Sequence, residues 1–331
     1  MSDPIIVGID GGGSKTLIAA ADRSGRVIEL AQGSATSPID SATWRQALAE
    51  QVRPFAGRAG LAGVAAALPA YGEVAAISAA QEQAIRDLFG SAPQHVLNDV
   101  DAAHTGAFAG GPGILILAGT GSMAWARDAA GVSHRTGGWG AIVGDEGSGY
   151  WVGKRVLSAV SKAVDGRAGP TGLVAAAFAL LGLKPGDEVN QLEGWAAQLH
   201  EPRTAIASLA EVALNLAGQG DVTARAIVDD AADELAQHVR TLEMRLAEPA
   251  IDWSFAGGLF ASALLRQAVI GRVGRPPIEP RLPPVGGALL AAAHHIGWRT
   301  DDGFVAELAN SIKTAPARSP AASEMRARAA R

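Results

Sequence analysis

The sequence predicts an α/β chain of two lobes. A repeated pattern carries this reading: an apolar strand ending in a small-residue turn occurs at Ile5 to Thr16 and again at Gly113 to Ser122. A third strand, Trp253 to Ala256, runs into Gly257-Gly258 and then an apolar helix. The chain has 331 residues, 48% of them apolar, which is about twice a usual domain and core enough for two.

The first turn reads Asp10-Gly11-Gly12-Gly13-Ser14-Lys15-Thr16. Backbone without side chains lets several N–H groups point into one concavity and hold a phosphate, while an acid at a strand end suits a magnesium ion or its water shell. A Walker loop is excluded, because Ser14 and not glycine precedes Lys15. A dinucleotide fingerprint needs a helix after the glycines, and here a short apolar run, Leu17 to Ala21, leads through the turn Asp22-Arg23-Ser24-Gly25 to a second strand, Val27 to Leu30. The glycines therefore close a β-hairpin. The plainer alternative is a glycine-rich turn with a solvated Asp10.

The rest of the first lobe, 1–112, contains an amphipathic helix over Thr43 to Arg53 stopped by Pro54, and a buried strand over Gly63 to Pro69 entering a loop. A helix over Ala79 to Leu88 and a strand over Gln94 to Leu97 follow, the strand ending at Asn98-Asp99. Asp99 by itself reads as an N-cap for a helix over Val100 to Phe108. Gly110-Gly111-Pro112-Gly113 has the composition of a hinge. The second lobe, 113–300, carries helices near 149–164, 171–181, 204–217 and 221–246. Asp221 caps the last of these, with Arg225, Ile227, Val228, Ala231, Leu235 and Val239 at helical spacing. A late helix falls within 301–313. The segment 314–331 is mostly Ala, Pro, Ser and Arg, the composition of a flexible tail.

Several motifs then stand in a fixed order: the Gly8 to Thr16 hairpin, Asn98-Asp99, Gly119 to Ser122, Gly137-Gly138-Trp139-Gly140 with Gly144-Asp145-Glu146-Gly147-Ser148, Gln219-Gly220-Asp221, and Ala256-Gly257-Gly258. Together they resemble the N-acetylglucosamine kinase branch of the sugar kinase/actin/heat-shock ATPase superfamily. That branch also holds the BadF/BadG/BcrA/BcrD-type ATPases, activators of benzoyl-CoA reductase and 2-hydroxyacyl-CoA dehydratase. The resemblance spans residues 5–295, and the Gly-Gly-Trp-Gly and Gly-Asp-Glu-Gly-Ser block is its most specific part.

The resemblance implies a two-lobed actin-like ATPase (ribonuclease H-like) fold, two mixed sheets flanked by helices with a nucleotide cleft between them, and ATP-dependent phosphorylation of an amino sugar hydroxyl, N-acetylglucosamine or glucosamine at O6. It makes Asp99 the base at the acceptor hydroxyl, with Asp101 as rival, and assigns Mg²⁺ to Asp10. Gly11, Gly12, Gly13, Ser14, Lys15, Thr120, Gly121 and Ser122 would contact phosphates, although Lys15 reads equally as a solvated lysine. Gly220, Gly257, Gly258 and Ser262 match positions around the nucleotide; Ser262 reads equally as helix surface. Asp99, Gly138, Trp139, Gly140, Asp145 and Ser37 would contact sugar. For Trp139 the alternative is core, and for Asp145 and Glu146 it is capping of the helix that starts at Ser148. The resemblance further implies a homodimer and a terminal helix that returns to the first lobe. Met123 stands where some members carry an amide, and Thr36-Ser37-Pro38 where they carry an Asn. A muramic-type amino sugar or another hexose thus stays open as acceptor.

Composition narrows the field. A formal charge of −5 gives no basic field for nucleic acid. Apolar stretches near 59–71, 171–183 and 285–293 fall short of the roughly 20 residues of a membrane span, and Met1 to Pro4 has no leader character, so a cytoplasmic protein is expected. The chain has no cysteine, which removes disulfides, thiol nucleophiles and a thiolate-held iron–sulfur cluster, and with the cluster the activator branch. A sugar sensor would need a DNA-binding helix pair, and an actin-like interaction protein a partner domain; neither is found. His294-His295 occupies adjacent helix positions that face different sides and does not suit a metal.

Overall fold

A computed structural model describes residues 3–12, 15–39, 41–184, 186–199, 202–247 and 251–317. The chain forms two compact units: residues up to Pro112 together with those from Glu279 onward, and Gly113–Ile278.

The first unit opens with β1 (Ile5–Gly11), β2 (Lys15–Asp22) and β3 (Val27–Ser34), joined as antiparallel hairpins. Helix α1 (Trp44–Ala56) leads to β4 (Leu61–Leu68), and α2 (Ala75–Phe89) to β5 (Gln94–Asn98), followed by α3 (Asp99–Phe108). The sheet order is β3-β2-β1-β4-β5, with β4 parallel to both β1 and β5. Strand β1 is central and buried on both faces, as its near-continuous apolar run requires. Val7 and Ile9 meet Trp44, Leu48 and Phe55 of α1, whereas Ile6 lies in a separate cluster on the opposite face. Each such side chain contributes about 1.5–3 kcal/mol when fully buried. Pro54, expected to stop α1, lies inside its last turn and is buried. So near the end it forfeits a single intrahelical bond.

The second unit repeats the design. Strands β6 (Gly113–Ala118), β7 (Ser122–Arg127) and β8 (Ser133–Gly137) form antiparallel pairs. Next come α4 (Gly140–Val143), α5 (Gly149–Val164), α6 (Leu173–Leu181), α7 (Glu188–Ala197), α8 (Pro202–Ala207), α9 (Leu209–Gly218) and α10 (Val222–Leu246). Strand β9 (Trp253–Ala256) pairs parallel with β6, giving the order β8-β7-β6-β9, and a short 3₁₀ turn leads to α11 (Ala263–Val273). The first four strands of each unit therefore share order and sense. Asp221 caps α10, accepting from the Ala224 N–H at 2.9 Å, and it also accepts from Thr171 Oγ1 and the Gly172 N–H, tying the start of α6 to α10. The buried face of α10 runs through Ala224, Ile227, Val228, Ala231, Leu235 and Val239; Arg225, grouped with them by spacing, is exposed and pairs with Asp229. The predicted helix at 204–217 is two helices, α8 and α9, and α7 carries no counterpart in the sequence reading.

Two helices close the first unit: α12 (Pro284–His295) and α13 (Asp302–Thr314). The expected second lobe ran to residue 300, yet α12 packs in the first unit's core with Ile6, Ala19 and Ala102. The cause is backbone proximity. A Cβ on Gly287 would lie 1.9 Å from the Ala102 carbonyl oxygen, and one on Gly8 2.7 Å from the Leu289 nitrogen. Helix α13 lies over β3, where Ser311 Oγ accepts from the Val27 N–H at 3.0 Å. The expected tail, 314–331, falls from residue 318 onward outside the described residues. Among the described residues no helix is long and apolar enough to cross a membrane.

Candidate active site

In the first unit, Asp10 stands near the end of β1 and Asp99 at the β5–α3 junction, with β4 lying between the two strands in the sheet. Burial pushes the Asp10 carboxyl up to about 6, opposed by the nearby Lys15 ammonium. Asp99 is pushed up to about 7, first by burial and then by the charge of Asp10, with a smaller push from Glu73. Two carboxylates that repel each other in a partly desolvated place are arranged to share a cation or a proton.

Asn98, not Asp99, caps α3: its Oδ1 accepts from the Val100 N–H at 2.9 Å, and its Nδ2 donates to the Tyr71 carbonyl at 2.8 Å. Asp99 also accepts from the Val100 N–H, at 3.0 Å. Asp101, the rival base, acts on His95 instead, raising a ring that burial and His295 push down.

The hairpin turn is closed from within. The Gly12 N–H donates to the Lys15 carbonyl at 2.9 Å, and Thr16 and Thr36 hydroxyls meet at 2.9 Å, both buried. A Cβ on Gly11 would lie 2.8 Å from Thr36 Oγ1, so the glycine makes room for that pair. Ser37 follows and is buried. Gly13 and Ser14 lie outside the described residues. Lys15 is exposed at the start of β2.

In the second unit, the Gly119–Ser122 turn is tied to the start of α5. The Gly119 and Thr120 carbonyls accept from the Gly149 and Tyr150 N–H groups at 2.8 and 3.1 Å. Ser122 Oγ donates to the Glu146 carbonyl at 2.6 Å, and its N–H points to Asp145 Oδ1 at 3.4 Å. Asp145 is 3% exposed, has the left-handed φ of 61°, and pairs with Arg203 Nη2 at 2.8 Å. A Cβ on Gly121 would lie 2.6 Å from Arg203 Nη2 and 3.1 Å from both Asp145 oxygens, so the missing side chain of Gly121 houses this ion pair. Neither Asp145 nor Glu146 caps α5; Ser148 does, accepting from the Trp151 N–H at 3.1 Å. Glu146 instead acts on His238 and Glu234: burial pushes the His238 ring down against the opposing charge of Glu146, and burial, reinforced by Glu146, pushes the Glu234 carboxyl up.

Trp139 is 66% exposed, with the Arg135 guanidinium over its ring, so it is no part of the core. Gly138 and Gly140 flank it at φ of 72° and 80°, conformations that favour glycine. A Cβ on Gly138 would touch Met123, while Gly140 borders open space. Met123 thus lies against this loop from β7.

Gly257 has φ 101° and lies so close to β6 that a Cβ would be 2.2 Å from the Ala118 carbonyl oxygen. Ser262 caps α11, accepting from the Leu265 N–H. Gly258 and Ser262 share a cleft of about 490 Å³ with Ser208, Glu211, Leu214 and Asn215 of α9 and its start. Gly220, at φ 91°, closes the turn after α9. Among the described residues no three His, Asp or Glu side chains converge on a point that would hold a metal.

Residues beyond the sequence reading are Asn98 as cap, Glu73 near Asp99, and Arg203. Asn98 was legible as a capping residue type beside Asp99. Arg203, 58 positions from its partner in a helix without a motif, was not.

The chain matches the BadF/BadG/BcrA/BcrD ATPase family over residues 7–292. It is 31% identical over 245 residues to the N-acetylmuramic acid/N-acetylglucosamine kinase of Clostridium acetobutylicum, covering 72% of this chain and 78% of that one. It is 33% identical over 138 residues to the N-acetyl-D-glucosamine kinase of Dictyostelium discoideum, 40% of this chain and 41% of the relative. Among solved structures, a Chromobacterium violaceum protein named as an N-acetylglucosamine kinase matches with TM-score 0.71 at 26% identity over 88% of this chain and 99% of the other. A ROK family glucokinase from Streptomyces griseus, in complex with glucose and AMPPNP, matches with TM-score 0.56 at 15% identity over 88% and 98%, a likeness of fold. The chain belongs to the BadF/BadG/BcrA/BcrD ATPase family and has the mixed α/β fold of its sugar-kinase relatives.

Proposed function

We propose that this chain transfers the γ-phosphoryl group of ATP to a hydroxyl of an amino sugar, O6 of N-acetylglucosamine or glucosamine. One observation carries the reading: a carboxyl at the start of α3, Asp99, is held near 7 by burial and by Asp10. A base of that strength is matched to accepting a hydroxyl proton at neutral pH. The named relatives support the amino sugar as acceptor, and the Clostridium acetobutylicum relative favours a muramic-type sugar as the second reading.

In this scheme Asp99 accepts the proton of the acceptor hydroxyl as phosphoryl transfer proceeds. Asp10 would hold Mg²⁺ through water, since no group of three acidic or imidazole side chains gathers into a metal cage among the described residues. Bound there, the ion supplies charge neutralisation for the β- and γ-phosphates. Lys15 and the Gly119–Ser122 turn contribute donors for phosphate oxygens, and Gly258 with Ser262 offers its cleft to the adenosine. Asp145 takes sugar hydroxyls, and the Trp139 face lies against the C–H side of the ring, its glycine neighbours keeping the approach open. Transfer of this kind needs alignment and electrostatic stabilisation more than covalent help. A cytoplasmic homodimer is the assembly that goes with the reading.

The test is a Mg-ATP assay over N-acetylglucosamine, glucosamine, N-acetylmuramic acid and glucose, with mass spectrometry and ³¹P NMR of the product. A 6-phosphate of an amino sugar is expected. Phosphorylation of glucose alone, or of nothing, overturns the assignment.

A further inference from the structure

The Asp145–Arg203 pair is built with care that a surface ion pair does not receive. Asp145 is 3% exposed and adopts φ 61°, a left-handed conformation that L-residues other than Asn and Asp seldom take. One carboxylate oxygen faces the Ser122 N–H and the other accepts from Arg203 Nη2 at 2.8 Å. Gly121 leaves the space they occupy, since any side chain there would displace the guanidinium. Arg203 Nε is buried without a partner among the described residues, and the side chain as a whole stays 37% exposed. Truncating Arg203 would leave a buried carboxylate uncompensated.

We propose that Arg203 is a positioning residue for sugar recognition. It fixes the Asp145 carboxylate in one orientation, with one oxygen tethered by the guanidinium, the other backed by the Ser122 N–H, and the remaining lone pairs aimed at sugar hydroxyls. The inference rests on the reading of Asp145 as a sugar contact given under Proposed function. In this inference Arg203 acts through Asp145, so its loss acts on sugar affinity and spares nucleotide affinity. A planar fork fixes a carboxylate's rotation in a way that an ammonium does not, so lysine is a partial substitute.

The experiment measures KM for sugar, KM for Mg-ATP and kcat for the wild-type chain, Arg203→Ala, Arg203→Lys and Asp145→Ala, plus the double variant, with thermal melting on each. Expected for Arg203→Ala is a rise of about 10- to 100-fold in sugar KM with Mg-ATP KM within about twofold. Added guanidinium ion should restore part of the affinity, Arg203→Lys should fall between, and the double variant should be no worse than Asp145→Ala. A purely structural arginine would lower the melting temperature and kcat without that split or that rescue. An unchanged sugar KM, or a rise confined to Mg-ATP, overturns the inference while leaving the kinase reading intact. A wild-type chain inert toward every sugar overturns both.

Discussion

Asp10 raises the pKa of Asp99: after burial, its charge is the largest influence holding that carboxyl near 7. The two acids stand on different elements, so the chain maintains a like-charge interaction that folding alone would select against.

Replacing Asp99 by Asn removes the proton acceptor and keeps the shape. We expect kcat to fall by about 10²- to 10⁴-fold, the usual contribution of a positioned base. Calorimetric titration should give a Mg-ATP affinity within about twofold of wild type. Unimpaired turnover would pass the role to Asp101 or to another acid.

The same pair predicts a pH dependence of stability for the Mg²⁺-free chain. The folded-state values, about 6 for Asp10 and about 7 for Asp99, lie above the ordinary 3.8 of an unfolded carboxyl, so the native state binds protons more tightly. Their contribution is therefore fully present below about pH 4 and lost as pH rises through 6 and 7. His95 and His238 are pushed down by burial and act in the opposite direction, losing stability as pH falls. The difference between wild type and Asp99→Asn isolates the acid pair. Calorimetry should find the variant relatively more stable at pH 8 than at pH 5, by about 1–2 kcal/mol or a few degrees.

Glycines divide by what surrounds them. Gly287→Ala places a Cβ 1.9 Å from the Ala102 carbonyl oxygen, backbone against backbone, and should destabilise by at least about 3 kcal/mol. Gly271→Ala, in the interior of α11 with open space around it, should stabilise by about 0.5–1 kcal/mol. Denaturant titration of both variants checks the contrast. Equal effects would mean that α12 and α3 do not approach as described.

Much of this organisation is legible in the sequence, and the failures have physical causes. The hairpin at β1–β2 and its repeat at β6–β7 announce themselves, because a buried strand followed by glycines and hydroxyl residues leaves few other conformations. Helix α12 does not: its Ala- and Gly-rich run is apolar enough for either unit, and what fixes it is the close approach at Gly8, Gly106 and Gly287. Glycine is informative about tightness but silent about the neighbour. Gly121 reads as a phosphate glycine, while the fold gives its empty side to Arg203 and Asp145. Pro54 reads as a stop, but a proline in the last turn loses too little to end a helix whose other residues are buried.

Trp139 separates stability from recognition. Its ring is 66% exposed, whereas Trp253 of β9 is fully buried and donates from Nε1 to the Arg275 carbonyl at 3.2 Å. Removing a buried tryptophan costs about 3–5 kcal/mol, but removing one that already faces solvent forfeits little. Trp139→Ala should therefore melt within about 1–2 °C of wild type, while Trp253→Ala should lose more than 10 °C or fail to fold. If the exposed ring is the wall on which a pyranose lies, the same Trp139→Ala chain should show a sugar KM raised at least about tenfold, with Mg-ATP KM unchanged. A ring kept only for packing would give the reverse: a lowered melting temperature and an unaltered sugar KM. Measuring both quantities on one preparation decides between them, since no single loss of folding can raise one Michaelis constant and leave the other in place.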